Sequence, residues 1–179
     1  MKLRYLHSSL VVAILLAAAP TVRSSDAPAV TPEQKVLDRF VGSWRCSFVR
    51  RAEGNPEEYK GTIDITCSRV LGGQFVQVKT ELSDNTSGLA MFTYDPQKKC
   101  YRSWWFGSNG QAVENTGAWD AESKTLRWSF VGEAGTTVTS TAHFLDENKY
   151  EREVTSRDKT GKVFFHMAGT CVRVGESKK

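Results

Sequence analysis

The chain has 179 residues, of which 40% are hydrophobic, 25% charged and 11% aromatic. This is the length and mixture of one globular domain, and it excludes a disordered tail, a collagen repeat and a coiled coil. The formal net charge of +4 comes from 24 basic and 20 acidic residues, which are interspersed and not clustered as a nucleic-acid footprint requires.

Residues 1–24 have the three parts of a secretory signal. Lys2 and Arg4 make the positive start, Leu10–Ala19 the apolar middle, and Ala17-Ala18-Ala19 or Val22-Arg23-Ser24 the cleavage region. The apolar run is well short of the roughly 20 residues that span a bilayer, so no membrane span is expected. The segment holds three basic residues (Lys2, Arg4, Arg23) and no acid, so its removal leaves 21 basic against 20 acidic residues, or +1. An exported, periplasmic or extracellular protein is expected, with no nucleic-acid partner. Export permits disulfides. Cys46, Cys67, Cys100 and Cys171 allow three pairings or free buried thiols, and their spacing contains no C-x-x-C.

Residues 25–30 read as a flexible leader and 31–176 as the domain. Thr31, Pro32 and Gln34 form a T-x-x-Q capping box with proline at the first helical position. Val36, Leu37, Phe40 and Val41 recur at helical spacing, which predicts a helix of two to three turns ending before Gly42. Beyond Gly42 the period changes to two. In Tyr59–Val70, Ile63, Ile65 and Cys67 face one way, and Thr62, Asp64, Thr66 and Ser68 the other. Turn residues recur about every ten positions, among them Gly72-Gly73, Asp95–Lys98, Gly107–Gly110, Asp120–Lys124 and Asp158–Gly161. Strands are expected to begin near Ser43, Tyr59, Gly73, Ser87, Lys98, Gln111, Lys124, Thr136, Asn148 and Val163. Ten short strands joined by hairpins predict an all-β fold, an antiparallel up-and-down β-barrel preceded by one short helix. Closure removes the exposed edges that so wide an open meander would carry. A sandwich, the competing architecture, needs longer crossovers than these turns supply.

The segment Phe40-Val41-Gly42-Ser43-Trp44 resembles the Gly-x-Trp at the first strand of lipocalins and other calycins. Leu71-Gly72-Gly73-Gln74-Phe75, Phe92-Thr93-Tyr94-Asp95, Lys99-Cys100-Tyr101-Arg102-Ser103-Trp104-Trp105 and Gly117-Ala118-Trp119-Asp120 with Lys124-Thr125-Leu126 follow in order. Together they resemble domain-of-unknown-function family 1579, a family of exported bacterial proteins. The likeness covers about Leu37 to Phe130 and runs more loosely to the last strand. It implies a lipocalin-like barrel in which Trp44 packs across the closed end, and it implies no activity. Two features depart from the family pattern. Phe106-Gly107 follows Trp105 where relatives often carry an acid, and the first hairpin, around Ala52–Glu58, is short.

No catalytic motif stands out. G-x-S-x-G, a phosphate loop and G-x-G-x-x-G are missing. Ser156-Arg157-Asp158-Lys159 matches S-x-x-K without its companion elements. Asn85-Thr86-Ser87 is a glycosylation sequon, meaningful only in a eukaryotic secretory pathway. Asp95, Glu114 and Asp120 fall mostly at turns, where carboxylates serve the backbone. His143 and His166 belong to no metal spacing. His166-Met167-Ala168-Gly169 sits where nitrobindin, a ten-strand lipocalin relative, places its haem histidine, so His166 is a haem candidate. No other cofactor or metal is expected. The leading expectation is a non-catalytic binding barrel for a small apolar or amphipathic ligand, closed by Trp44 and lined by Val76, Met91, Trp104, Trp128 and Phe165. The alternative is a filled barrel that contacts another envelope protein. Adjacent Trp104 and Trp105 point to opposite faces, so at least one faces outward.

Overall fold

The computed structural model describes residues 29–175, so the secretory-signal reading lies outside the described residues. Thr31 caps the helix α1 (Pro32–Val36) as the sequence anticipates. The Gln34 amide donates to Thr31 Oγ1 at 3.2 Å, and Thr31 N–H donates to Gln34 Oε1 at 2.9 Å. After Val36 the helix tightens into a 3-10 turn, Leu37–Phe40. With three residues per turn, positions i and i+3 eclipse, and this stacks Leu37 and Phe40 on one side, where both are buried.

Ten strands follow: β1 (Gly42–Ala52), β2 (Asn55–Val70), β3 (Phe75–Leu82), β4 (Ser87–Asp95), β5 (Cys100–Gly107), β6 (Ala112–Asp120), β7 (Thr125–Val131), β8 (Thr137–Phe144), β9 (Lys149–Arg157) and β10 (Val163–Val174). Each pairs antiparallel with its chain neighbours, and β1 also pairs with β10, from Ser43↔Val174 to Ala52↔Phe165. The result is the expected closed antiparallel barrel with one short helix. Strand β2 starts four residues earlier than its alternation suggests. Ala52 pairs with Asn55 across a two-residue turn in which Gly54 takes φ +82°, so the first hairpin is tight and most of Ala52–Glu58 is strand.

Two hairpins at one end share a turn design. Asp95 Oδ1 accepts from the amides of Gln97 and Lys98, and Asp120 Oδ1 from those of Glu122 and Ser123. The Ser123 hydroxyl also donates to Asp120 Oδ2, and with these amides it holds the Asp120 carboxyl below its ordinary range, as the amides do for Asp95. The two aspartates build turns; Glu114 does not, since it lies within β6 and pairs with Arg102.

The pleat directs alternate side chains inward, and the inward set packs densest beside the helix. Trp44 Nε1–H donates to Phe40 O at 2.7 Å, and the Arg173 guanidinium lies 4.2 Å from the Trp44 ring centre. Tyr101 O–H donates to Glu33 O. Arg69 donates to Asp38 Oδ1, Gly73 O and Gln34 O, tying the helix to the end of β2. The helix therefore stops one end of the barrel, with Leu37, Val76, Leu126, Phe144 and Tyr150 as its floor. Cys46 and Cys171 stand opposite each other on β1 and β10 and form a disulfide across the closing seam. Cys67 is buried and free, and Cys100 is free and half-buried.

Candidate functional site

Above the floor the barrel interior is not filled. A cavity of about 420 Å³ lies between the two ends. Several of the residues that turn inward above the floor are small: Ala90 on β4, Ser103 on β5 and Ala142 on β8. Where bulk is missing on several strands at one level, no neighbour reaches far enough to close the gap. The walls that remain are aromatic, with Phe92, Trp105, Trp128, Phe130 and Phe165 facing the space. Two of these rings rest on glycines. A Cβ at Gly117 would meet Trp128 Cε3 at 2.5 Å, and one at Gly88 would meet Trp105 Nε1 at 2.8 Å.

Polar groups are distributed around the wall. Asn115 Nδ2–H donates to Ser103 Oγ at 3.0 Å, and Thr80, Ser140 and Ser156 also face the space. A single charged side chain stands among the lining residues described, Arg152 of β9. It is in phase with Tyr150 below and Val154 above, between Ala142 on β8 and Gly169 on β10. No described side chain or carbonyl gives its guanidinium a hydrogen bond or an ion pair, whereas Arg45, Arg50, Arg51, Arg69, Arg102 and Arg173 all have such partners. The Cys67 thiol at the cavity base is pushed up to about 12, chiefly by burial, against a smaller opposing pull from Arg173 and Arg152. It is protonated and inert at neutral pH. Burial likewise raises the Tyr150 hydroxyl, whose nearest polar contact is Cys46 Sγ at 3.9 Å.

The six lining residues read from the sequence fall in three places. Trp128 and Phe165 face the cavity. Trp44 and Val76 are buried in the floor beneath it. Met91 and Trp104 are corrected: they pair with each other between the inward pairs Ala90↔Trp105 and Phe92↔Ser103, and the pleat therefore sets them on the outer face. There Trp104 packs against Phe75 and under the Arg102 guanidinium. Adjacent tryptophans fix no parity by themselves, and Trp105 is the one that turns inward.

His166 is also on the outside. Phe165, Met167 and Cys171 take the inward phase of β10, while His166 Nε2 lies 2.9 Å from Glu153 Oε1 on the outer face of β9. His143 faces Glu151 in the same way. Neither histidine reaches the cavity, so the donor set does not fit a haem held inside the barrel. Among the described residues, no three His, Cys, Asp or Glu side chains converge to hold a metal ion, and no helix is long and apolar enough to cross a membrane. Sequence reasoning missed Arg152, although its signal was present. In Lys149–Arg157 the alternation puts Tyr150, Arg152, Val154 and Ser156 on one face and Lys149, Glu151 and Glu153 on the other.

Comparison with known proteins agrees with this architecture. Two solved structures share the barrel. The S-type phycobiliprotein lyase CPES from Guillardia theta is 12% identical, with a TM-score of 0.58 over 81% of this chain and 94% of that one. Rv2717c from M. tuberculosis is 10% identical, with a TM-score of 0.62 over 82% of this chain and all of that one. At such identities the likeness is one of fold. No curated protein matches the sequence. The family model for the protein of unknown function DUF1579 matches residues 29–173, and the chain belongs to that family.

Proposed function

We propose that this DUF1579 protein is an exported, non-catalytic carrier that holds a small amphipathic molecule inside its barrel. The observation that carries the reading is the contrast within one interior: the floor is packed with rings, while the layer above is built from small side chains around a space of about 420 Å³. Volumes of roughly 300–1,000 Å³ with apolar walls and a few polar groups are typical of ligand sites. The groups present suit binding better than chemistry. Cys67 is held protonated, both described histidines are outside, and Asp95 and Asp120 serve turns.

Export draws on two separate features. Lys2, Arg4 and Leu10–Ala19 have the order of a secretory signal, and the disulfide Cys46–Cys171 suits an oxidising compartment. Fluorescence titration with 1-aminonaphthalene, an uncharged solvatochromic dye small enough for the cavity, tests the carrier reading. Saturable binding with a blue shift, competed by medium-chain alcohols, is expected. A folded protein that neither binds the dye nor any uncharged amphiphile overturns it. Mass spectrometry of the protein from its native host tests export, with an N-terminus beyond residue 19 expected and an intact Met1 against it.

A further inference from the structure

Resting on the carrier reading, we infer that the ligand is an anionic amphiphile and that Arg152 binds its head group. A guanidinium stays charged at any physiological pH. Placing it against apolar walls costs free energy unless an opposite charge or several acceptors compensate. Elsewhere in this protein that compensation is present: Arg69 has three acceptors, and Arg102 faces both Glu114 and Asp95. Arg152 has none from the described residues, yet it lines the interior cavity beside Tyr150 and Val154, in the inward phase of its strand. Acidic residues are plentiful on its strand, but Glu151 and Glu153 are in the opposite phase and pair with His143 and His166 outside. The pleat thus separates this cation from its nearest acids and leaves its charge for something that enters the cavity.

The surroundings shape the choice. Ala142 and Gly169 flank Arg152 on the neighbouring strands and carry no side chain that could pair with the guanidinium. Gly169 has to be small: a Cβ there would meet Ser47 O at 2.5 Å and Phe48 Cβ at 2.8 Å. The Tyr150 hydroxyl, held in its protonated form by burial, stands two residues below as a second donor. A planar fork of N–H donors matches a carboxylate with two parallel hydrogen bonds. Arg152 lies near the floor, and Phe130, Val138 and Phe165 lie toward the open end. The ligand therefore enters head first, with its apolar tail toward the mouth. At about 30 Å³ per water-sized atom, the cavity holds on the order of ten to fifteen heavy atoms. That is the size of a medium-chain carboxylate.

Competition with bound 1-aminonaphthalene by decanoate, decanol and decyltrimethylammonium tests the assignment. In the wild-type protein, decanoate is expected to compete at least tenfold better than decanol, and the cation worst. Arg152→Met should remove the preference by weakening decanoate at least tenfold while leaving decanol within about twofold. Arg152→Lys should keep a reduced preference for the carboxylate, and it guards against a folding defect in the methionine variant. Equal competition by decanoate and decanol in the wild type overturns the inference while the carrier reading stands. So does an Arg152→Met loss shared equally by both ligands, the mark of a merely structural arginine. Failure of both the dye and decanol to bind, the latter followed by calorimetry, removes the carrier reading, and the inference with it.

Discussion

The floor and the belt above it are made by the same ten strands, one residue pair apart, and they differ in bulk and in polarity. In the floor, Trp44 and Tyr150 meet edge to face at 4.9 Å between ring centres, Phe40 and Phe144 at 5.0 Å, and Phe144 and Tyr150 at 5.3 Å. One pair higher, Ala142 follows Phe144 and Gly169 follows Cys171 on the inward face. Ring pairs of this kind add packing energy beyond the area they bury, whereas Ala142 leaves space and Gly169 only admits the close approach of β1. Stability and capacity are thus assigned to successive layers of one wall, and a carrier of this design need not weaken its core to keep a cavity.

The largest blow to that division comes from the floor. Trp44→Ala or Phe144→Ala should cost about 3–5 kcal/mol in denaturant unfolding, the usual loss for a buried aromatic. A loss below about 1 kcal/mol would mean the floor is not the stability centre. Next is the seam. Removing the disulfide by the double substitution Cys46→Ala and Cys171→Ala should cost about 2–4 kcal/mol, since it joins residues 125 apart. An unchanged denaturation midpoint would show that strand pairing alone closes the barrel.

Alkali probes the same boundary. Cys67 ionises at an ordinary value of 9.0 in an unfolded chain but at about 12 in the folded one. Below about pH 9 the thiol is neutral in both states and makes no difference. Above it only the unfolded chain gains by losing the proton, so stability falls by about 1.4 kcal/mol per pH unit until about 12. Tyr101, raised from 10.0 to about 12, steepens the fall from pH 10 upward. Thermal unfolding at pH 8–11 should show this slope, and Cys67→Ala should flatten its first part.

The smallest effect separates the layers most sharply. Ala142→Leu fills part of the belt and should raise stability by about 0.5–2 kcal/mol, as cavity-filling changes do. The same change should reduce 1-aminonaphthalene affinity severalfold. Reduced binding without a stability cost would sharpen the comparison; undiminished binding would move the site out of the belt.

Much of the fold was legible because it is written locally. The capping box needs only residues three apart, and it forms between Thr31 and Gln34. The alternation Ile63, Ile65, Cys67 marks an inward face wherever β2 goes, and all three are buried. The site was less legible. In Leu89–Tyr94 and Trp104–Phe106 apolar side chains occupy both phases, so alternation gives no parity, and only the pairing of β4 with β5 turns Met91 and Trp104 outward. Arg152 was overlooked for a different reason. An arginine in an inward phase reads as a surface residue until the neighbours that would pair with it are seen to face elsewhere.

By itself the sequence determined the number of strands, the positions of their turns and the helix that stops one end, because these depend on residues within one turn or one hairpin of each other. Only the tertiary structure decided that Cys46 meets Cys171, that Ala142, Arg152 and Gly169 share a level, and that a space opens beside them. Those outcomes depend on the register between β1 and β10 and on volumes summed around the whole ring. No local pattern carries either quantity.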